Sequence, residues 1–147
     1  MICTTTTGKT CKAFKIDKRQ VCLEYIGRNR IPEALSLCNS KQGRLPLPTN
    51  QKENDDYLKA FISMLTKLGK TINTHVPLDA NDVGYEGKFT TSTGEPVEWF
   101  NWGKNQPDNY DNENYVHMFV QENSDEPGKW NDIDGSYAND VFCKYDL

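Results

Sequence analysis

Gln106-Pro107-Asp108 and, after a short acidic run, Trp130-Asn131-Asp132 are the two stretches of this chain that say most about its fold. Together they concentrate side-chain oxygens without histidine or cysteine among them, and the oxygen-bearing residues are Gln106, Asp108, Glu113, Asn131 and Asp132. Calcium accepts about 6–8 oxygen ligands, so this set suits a hard cation. Aromatic rings beside amides and carboxylates also suit a polyhydroxyl ligand, and the flanking rings are Trp102, Tyr110, Tyr115 and Trp130. The pattern predicts a calcium-dependent sugar site.

The composition limits the possible classes of protein. A chain of 147 residues is long enough for one domain, and we expect a flexible, Thr-rich tail over residues 1–10 and a folded domain over residues 11–147. The net charge of −4, without a basic stripe, argues against binding to nucleic acid. No apolar run approaches the ~20 residues of a membrane span, which argues against membrane insertion.

Five cysteines, at positions 3, 11, 22, 38 and 143, have no CxxC pair and no nearby histidine, so disulfides are favoured over zinc. We therefore expect a secreted protein, whose signal peptide was removed or never existed, since residues 1–8 lack its apolar stretch. Cys11 and Cys22 could staple a predicted β-hairpin over residues 12–27. Cys3 is then the candidate for a bond within a homodimer, with a free thiol as the equal alternative.

Two helices are predicted from apolar residues at helical spacing. Ile31-Pro32-Glu33 begins the first, because proline is tolerated in the first turn, and Gly43 ends it. Asn50 and Glu53 resemble a capping box that begins the second helix, and Gly69 closes it. Beyond residue 70, short β-prone pieces alternate with polar loops, and these pieces span residues 88–92, 96–102, 115–121 and 140–145. The pattern predicts one α+β domain.

Several motifs, in their order and spacing, resemble the C-type lectin domain over residues 11–145. They are Glu33-Ala34 to Cys38, Gly43-Arg44-Leu45, Gln51-Lys52-Glu53-Asn54-Asp55, Asn81-Asp82 with Glu86-Gly87-Lys88-Phe89, Asn101-Trp102, Gln106-Pro107-Asp108, Trp130-Asn131-Asp132 and Val141-Phe142-Cys143. The resemblance implies a C-type lectin-like domain of the long form, with an extra N-terminal hairpin. It also implies two helices packed on small antiparallel sheets and a long calcium-binding loop region.

Two calcium sites are implied by this resemblance. The sugar-binding ion would be held by Gln106, Asp108, Glu113, Asn131 and Asp132, with a cis bond before Pro107. An auxiliary ion would be held by Asp82, Glu86, Asn109, Glu113 and Asn114. Amides stand at positions 109 and 114 where relatives often have carboxylates, so the lower ligand charge predicts weaker binding at the auxiliary site.

The order Gln-Pro-Asp resembles that of galactose-type members of the family. The sugar-binding residues implied are Gln106, Asp108, Tyr110, Glu113 and Asn131, with Tyr110 as the platform for the apolar face of galactose. The expected partners are glycans that end in galactose or N-acetylgalactosamine, on glycoproteins, glycolipids or microbial surfaces. The loop between Asp108 and Glu113 lacks the glycine-rich insert of some relatives, so tight discrimination for N-acetylgalactosamine is not expected.

The resemblance also implies a disulfide between Cys38 and Cys143. The inner disulfide of the family is missing, because Tyr115 and a residue near Gly135 stand where its cysteines would be.

Two other classes of function compete with the lectin. Paired carboxylates can hydrolyse glycosides, but here amides alternate with them, His75 and His117 stand isolated in the sequence, and no hydrolase motif is present, so we expect no enzyme. A C-type fold can also bind a protein partner or ice, because a fold does not imply a function. The full set of calcium ligands argues against a protein binder, and ice binding stays open.

Overall fold

The computed structural model describes residues 2–4, 10–109, 112–122 and 125–147, with only the backbone for residues 2–4 and for Thr10. Its elements are β1 (Ile2–Thr4), β2 (Thr10–Ile16), β3 (Arg19–Arg30), α1 (Ile31–Ser40), α2 (Gln51–Lys67), β4 (Asn73–Asn81), β5 (Tyr115–Gln121), β6 (Trp130–Ile133) and β7 (Ala138–Asp146). The strands form two antiparallel sheets, in the orders β1-β2-β3-β7 and β4-β5-β6. Two helices and two small antiparallel sheets confirm the predicted fold class.

The first sheet joins the two ends of the chain. Strands β2 and β3 form the predicted hairpin, and the predicted Cys11–Cys22 disulfide is present within it. Strand β7 pairs with β3 over most of its length, so the last strand lies beside the hairpin. Residues 2–4 add β1 to the edge of β2, where the sequence had suggested only a flexible tail. The division of the chain into a tail and a domain stays a prediction.

Local sequence signals place both helices. Helix α1 begins at Ile31 as predicted, but it ends at Ser40, before Gly43. At the start of α2 the side chain of Asn50 accepts a hydrogen bond of 2.9 Å from the backbone N–H of Glu53, which satisfies one of the unpaired amides of a helix N-terminus. Gly69 follows the end of α2 with a φ of +72°, a conformation that suits glycine.

The main core lies between α2 and the two sheets. Three fully buried residues of α2 face inward, namely Tyr57, Phe61 and Leu65. The ring of Phe61 stacks on that of Phe142 of β7 at a centroid distance of 4.8 Å. Burial of each such side chain contributes about 1.5–3 kcal/mol, so this layer contributes substantially to stability. The Cys38–Cys143 disulfide, as implied by the resemblance, ties α1 to β7.

The second half of the chain differs in part from the sequence prediction. Strand β5 spans residues 115–121 as predicted, and β7 includes the predicted piece 140–145. The pieces 88–92 and 96–102 were wrongly predicted as strands, because they form loops with isolated bridges only. Long polar loops therefore connect β4 to β5. Neither helix of the described chain has the length and apolar character required to cross a membrane.

A candidate cation site on the loop face

Three carboxylates meet at the end of the second sheet. Asp108 lies in the loop before β5, Glu113 lies just before β5 begins, and Asp132 lies in β6. One carboxylate oxygen from each residue lies within 4.8 Å of the other two. Such close carboxylates repel each other in the absence of positive charge, so the arrangement suits a bound cation.

Asp132 holds the loop against β6. It is only 1% exposed, and its two carboxylate oxygens accept hydrogen bonds from the backbone N–H groups of Asp108, at 3.1 Å, and Asn109, at 2.6 Å. Burial raises the pKa of Asp132, and the nearby charge of Asp108 raises it further, whereas the two backbone hydrogen bonds act in the opposite direction. A cation beside this carboxylate would offset the cost of keeping its charge buried.

The bond between Gln106 and Pro107 is cis, as the resemblance implied. Gln106 Oε1 is buried, and it has no hydrogen-bond partner among the described residues. A buried carbonyl oxygen without a partner costs roughly 1–3 kcal/mol. Because this oxygen comes two residues before Asp108, it fits the role of an additional ligand to a hard cation. The residues present therefore fit calcium.

Two of the predicted auxiliary ligands, Asp82 and Asn114, are in contact through their backbones. The backbone N–H of Asp82 donates to the backbone oxygen of Asn114 at 3.0 Å, which joins the end of β4 to the segment before β5. Asp82 is 5% exposed, and its Oδ1 has no hydrogen-bond partner in the described part of the chain. A hydrogen bond shared with Asp82 raises the pKa of Glu86, and burial adds to that shift, while a hydrogen bond with Asn109 opposes it. Asp82 is thus joined to Asn114 through the backbone, and the pKa of Glu86 responds to Asp82 and Asn109; the second calcium site itself stays a prediction.

Two of the four flanking aromatic rings pack in the interior. Trp130 is fully buried, and its indole Nε1 donates to Asn54 Oδ1 of α2 at 2.7 Å. Trp102 is half-buried and stacks on Phe100 at a centroid distance of 5.4 Å, within the aromatic layer above Trp130. Trp130 thus belongs to the core, and Trp102 packs against it. Tyr110, the predicted platform, lies outside the described residues.

Tyr115 and Gly135 are in contact, as their positions in place of the inner disulfide suggest. A Cβ atom at Gly135 would lie 3.0 Å from Tyr115 Cε2 and 3.0 Å from Pro32 Cγ. Ordinary packing of a tyrosine ring over a glycine thus replaces a covalent link at this point. This packing ties the start of β5 to the segment before β7 and to α1.

Asn131 forms a contact that the sequence prediction missed. Asn131 of β6 and His117 of β5 are register partners, and Asn131 Nδ2 lies 3.2 Å from His117 Nε2. His117 is 4% exposed and stacks on His75 of β4 at a centroid distance of 4.3 Å. The two histidines are therefore not isolated. The alternating pattern of β5 marks His117 as part of a strand, but only the register with β6 relates it to Asn131.

Comparison with known proteins identifies the relatives of this chain. A family model described as "Lectin C-type domain" matches residues 28–145. Collectin-43 of Bos taurus is 31% identical over 113 residues, which cover 77% of this chain and 32% of that protein. The alpha-N-acetylgalactosamine-specific lectin of Patiria pectinifera is 32% identical over 128 residues, which cover 84% of this chain and 73% of that lectin.

Pulmonary surfactant-associated protein D of Bos taurus is 32% identical over 114 residues, covering 77% of this chain and 27% of that protein. The chain thus spans a third or less of the length of Collectin-43 and of this surfactant protein.

Solved structures share the fold. The carbohydrate-recognition domain of the mouse scavenger receptor C-type lectin has a TM-score of 0.71 and 20% identity, covering 92% of this chain and 93% of that domain. The C-type lectin CEL-I from Cucumaria echinata has a TM-score of 0.69 and 21% identity, covering 84% of this chain and 89% of that lectin. At these identities the likeness concerns the fold alone.

Proposed function

Because this chain belongs to the C-type lectin domain family, we propose that it is a calcium-dependent lectin that binds terminal galactose or N-acetylgalactosamine without catalysis. The cluster of oxygens from Asp108, Glu113 and Asp132 carries the proposal, together with the buried Gln106 Oε1 that has no partner in the described chain. Asn131 completes the proposed ligand set. The name of the Patiria pectinifera relative, an alpha-N-acetylgalactosamine-specific lectin, supports a galactose-type sugar.

Each proposed residue makes the kind of contact with the sugar that its side chain allows. When bound, calcium supplies a positive charge that accepts lone pairs from two neighbouring sugar hydroxyls. The carboxylates of Asp108 and Glu113 accept hydrogen bonds from those hydroxyls, and the amide nitrogens of Gln106 and Asn131 donate to them. The order of carboxylate and amide along the loop then selects the orientation of the diol.

Galactose preference is proposed from the order Gln106-Pro107-Asp108 and from Tyr110. Galactose has an axial 4-hydroxyl, which leaves one face of its ring apolar and able to pack on an aromatic side chain. Tyr110 comes two residues after Asp108 and is proposed as this platform. The auxiliary calcium site at Asp82, Glu86, Asn109 and Asn114 is proposed to bind more weakly, because only two of these residues carry a charge.

Retention on immobilised galactose and immobilised mannose, each with calcium and with EDTA, tests the proposal. We expect retention on galactose with calcium, weaker retention on mannose and elution of both by EDTA. Binding that resists EDTA, or a preference for mannose, would contradict the proposal. Turnover of a galactoside during the incubation would contradict the absence of catalysis.

Two variants test the roles of the loop residues. The double change Gln106→Glu with Asp108→Asn keeps the number of oxygen ligands but exchanges carboxylate and amide, and it should shift the preference toward mannose. Tyr110→Ala should weaken galactose binding more than it weakens calcium binding. Equal loss of both affinities in Tyr110→Ala would assign that residue to the metal rather than to the sugar.

Secretion and assembly into dimers also belong to the proposal. The two disulfides support an extracellular protein. A single, exposed monosaccharide site buries little area, so useful avidity would come from multivalency, which can add ~10²–10⁴-fold. The side chain of Cys3 lies outside the described residues, and its proposed role is a bond to a second copy. A non-reducing gel without a band at twice the mass of one chain would exclude a covalent dimer.

A further inference from the structure

A network of four hydrogen-bonding groups extends from the turn before β7 to Asn131. Asn139 Nδ2 donates to the backbone oxygen of Tyr137 at 3.1 Å. Asn139 Oδ1 lies 2.7 Å from His117 Nδ1, and His117 Nε2 lies 3.2 Å from Asn131 Nδ2. Both Asn139 and His117 are buried, at 2% and 4% exposure, so these groups depend on one another rather than on water.

The chemistry of each group determines which atom donates and which accepts in each hydrogen bond of this network. A backbone carbonyl only accepts hydrogen bonds, so the amide of Asn139 must turn its nitrogen toward Tyr137 and its oxygen toward His117. His117 Nδ1 must therefore carry the ring proton. His117 is buried, and its ring stacks on that of His75, a second imidazole rather than an anion. Burying a charged imidazole in such surroundings is costly, so the ring is neutral, and Nε2, which then carries no proton, can only accept. The remaining partner, Asn131, must turn its nitrogen toward the ring.

We infer that His117 is a positioning residue for the cation site, because its Nε2 holds the nitrogen of the Asn131 amide and leaves Asn131 Oδ1 as the atom offered to calcium. The inference rests on the proposed function, in which Asn131 is a calcium ligand. An amide that turned by 180° would offer N–H hydrogens to the cation, which repel it. The bond to His117 uses one of the two hydrogens of Asn131 Nδ2, so the other stays available for a sugar hydroxyl.

His75 provides a matched control for this role. It stacks on His117 and is half-buried, but no hydrogen bond among the described residues joins it to Asn131. His75→Phe keeps an aromatic ring in the stack, as does His117→Phe, but only the second change removes the acceptor that faces Asn131. A role in packing alone would give the two variants the same phenotype.

Calorimetric titration with calcium chloride alone measures the effect. We expect His117→Phe to raise the Kd for calcium by about 10–100-fold, the usual effect of losing a group that orients a metal ligand. His75→Phe should stay within about twofold, since it removes no hydrogen bond to a ligand. His117→Gln should recover most of the affinity, because its amide can both donate to Asn139 and accept from Asn131. Circular dichroism in EDTA checks that each variant folds.

A double-mutant cycle isolates the orientation of the amide. In Asn131→Asp the side chain offers a carboxylate oxygen whichever way it turns, so its orientation no longer matters. In that background we expect His117→Phe to change the calcium Kd by less than about threefold. A penalty for His117→Phe that is the same with and without Asn131→Asp, or equal penalties for His117→Phe and His75→Phe, would overturn the inference.

The tautomer of His117 tests the inference without calcium or sugar. Nitrogen-15 NMR of the wild-type protein in EDTA should show a neutral ring protonated at Nδ1, with Nε2 as the acceptor. A ring protonated at Nε2 would overturn the positioning role, whatever the protein binds. Calcium binding without galactose binding would contradict the proposed function and leave this inference standing, whereas a wild-type protein that binds no calcium would contradict both.

Discussion

Different interactions stabilise the two ends of this molecule. At the end that contains the chain termini, the Cys11–Cys22 disulfide links two strands of the first sheet, and the Cys38–Cys143 disulfide links α1 to that sheet. Stacked aromatic rings join α2 to the same sheet. At the loop end, Asp132 accepts from two backbone amides and Tyr115 packs on Gly135. The first end, which we call the scaffold, consists of the two helices and the first sheet and is stabilised by covalent bonds and apolar burial. The second, which we call the loop end, consists of residues 82–114 with β6 and is held by a few hydrogen bonds and one packing contact.

This difference shows where a ligand can contribute. The scaffold contains much of the buried apolar core, so we expect it to fold without an ion. The loop end keeps Gln106 Oε1 and Asp82 Oδ1 buried without partners among the described residues, and it brings three carboxylates within 4.8 Å of one another. Cations at the two proposed positions would satisfy these groups, so we expect calcium to stabilise the loop end and to leave the scaffold unchanged.

Removal of the Cys38–Cys143 disulfide should produce the largest effect. This bridge closes a loop between residues 105 positions apart, and loss of such a native disulfide typically costs about 2–5 kcal/mol. We expect the double change Cys38→Ala with Cys143→Ala to lower the free energy of unfolding by that amount. Guanidinium denaturation in EDTA measures it, and an equal loss in calcium-saturated protein would confirm that the scaffold and the loop end act separately.

Calcium should stabilise the wild-type protein through Asp132. At a calcium concentration 100 times its Kd, the free energy of unfolding should rise by about 2.7 kcal/mol. Asp132→Asn should abolish this rise, because it removes the buried charge of the cluster. The same denaturation with and without calcium checks both statements.

Asp125→Asn is the control for that change, since Asp125 is an exposed carboxylate on a neighbouring loop. It should keep the full calcium-dependent rise. If Asp132→Asn responded to calcium like the wild type, the cation would not bind at the proposed position.

Gly135→Ala should weaken the contact that stands in place of the inner disulfide. Its new Cβ would lie 3.0 Å from atoms of Tyr115 and Pro32, and overpacking of this kind costs about 1–3 kcal/mol. Gly84→Ala is the matched control, because a Cβ there meets no atom within 4 Å. Thermal unfolding of the two variants should differ clearly, and equal melting temperatures would show that the Tyr115 ring moves away without cost.

Loss of the α2 cap should produce the smallest effect. Asn50→Ala removes the acceptor for the Glu53 amide, so we expect a loss of about 1 kcal/mol in the free energy of unfolding. Asn50→Asp keeps an acceptor and should restore it. Calcium titration of Asn50→Ala should give the wild-type Kd, and a weaker Kd would mean that the scaffold transmits its changes to the loop end.

The parts of the fold that the sequence predicted correctly depend on near neighbours. The start of α1 at Ile31 follows from the adjacent Pro32, and the start of α2 follows from Asn50 and Glu53, three residues apart. The strand over residues 115–121 follows from local β propensity. The pieces 88–92 and 96–102 have similar propensity but form loops, because no continuous strand among the described residues pairs with them. Pairing is a tertiary event that propensity does not determine.

The sequence by itself determined the chemical composition of the candidate site. Oxygen donors without histidine or cysteine among them identify a hard cation, because ligand type follows from residue type alone. Tertiary structure alone decided which of these groups meet and which aromatic rings face inward. Trp130 is buried through its bond to Asn54, 76 positions away, and Asn131 meets His117 only through the register of β5 and β6. Such contacts depend on how distant segments pair, and no local pattern specifies that pairing.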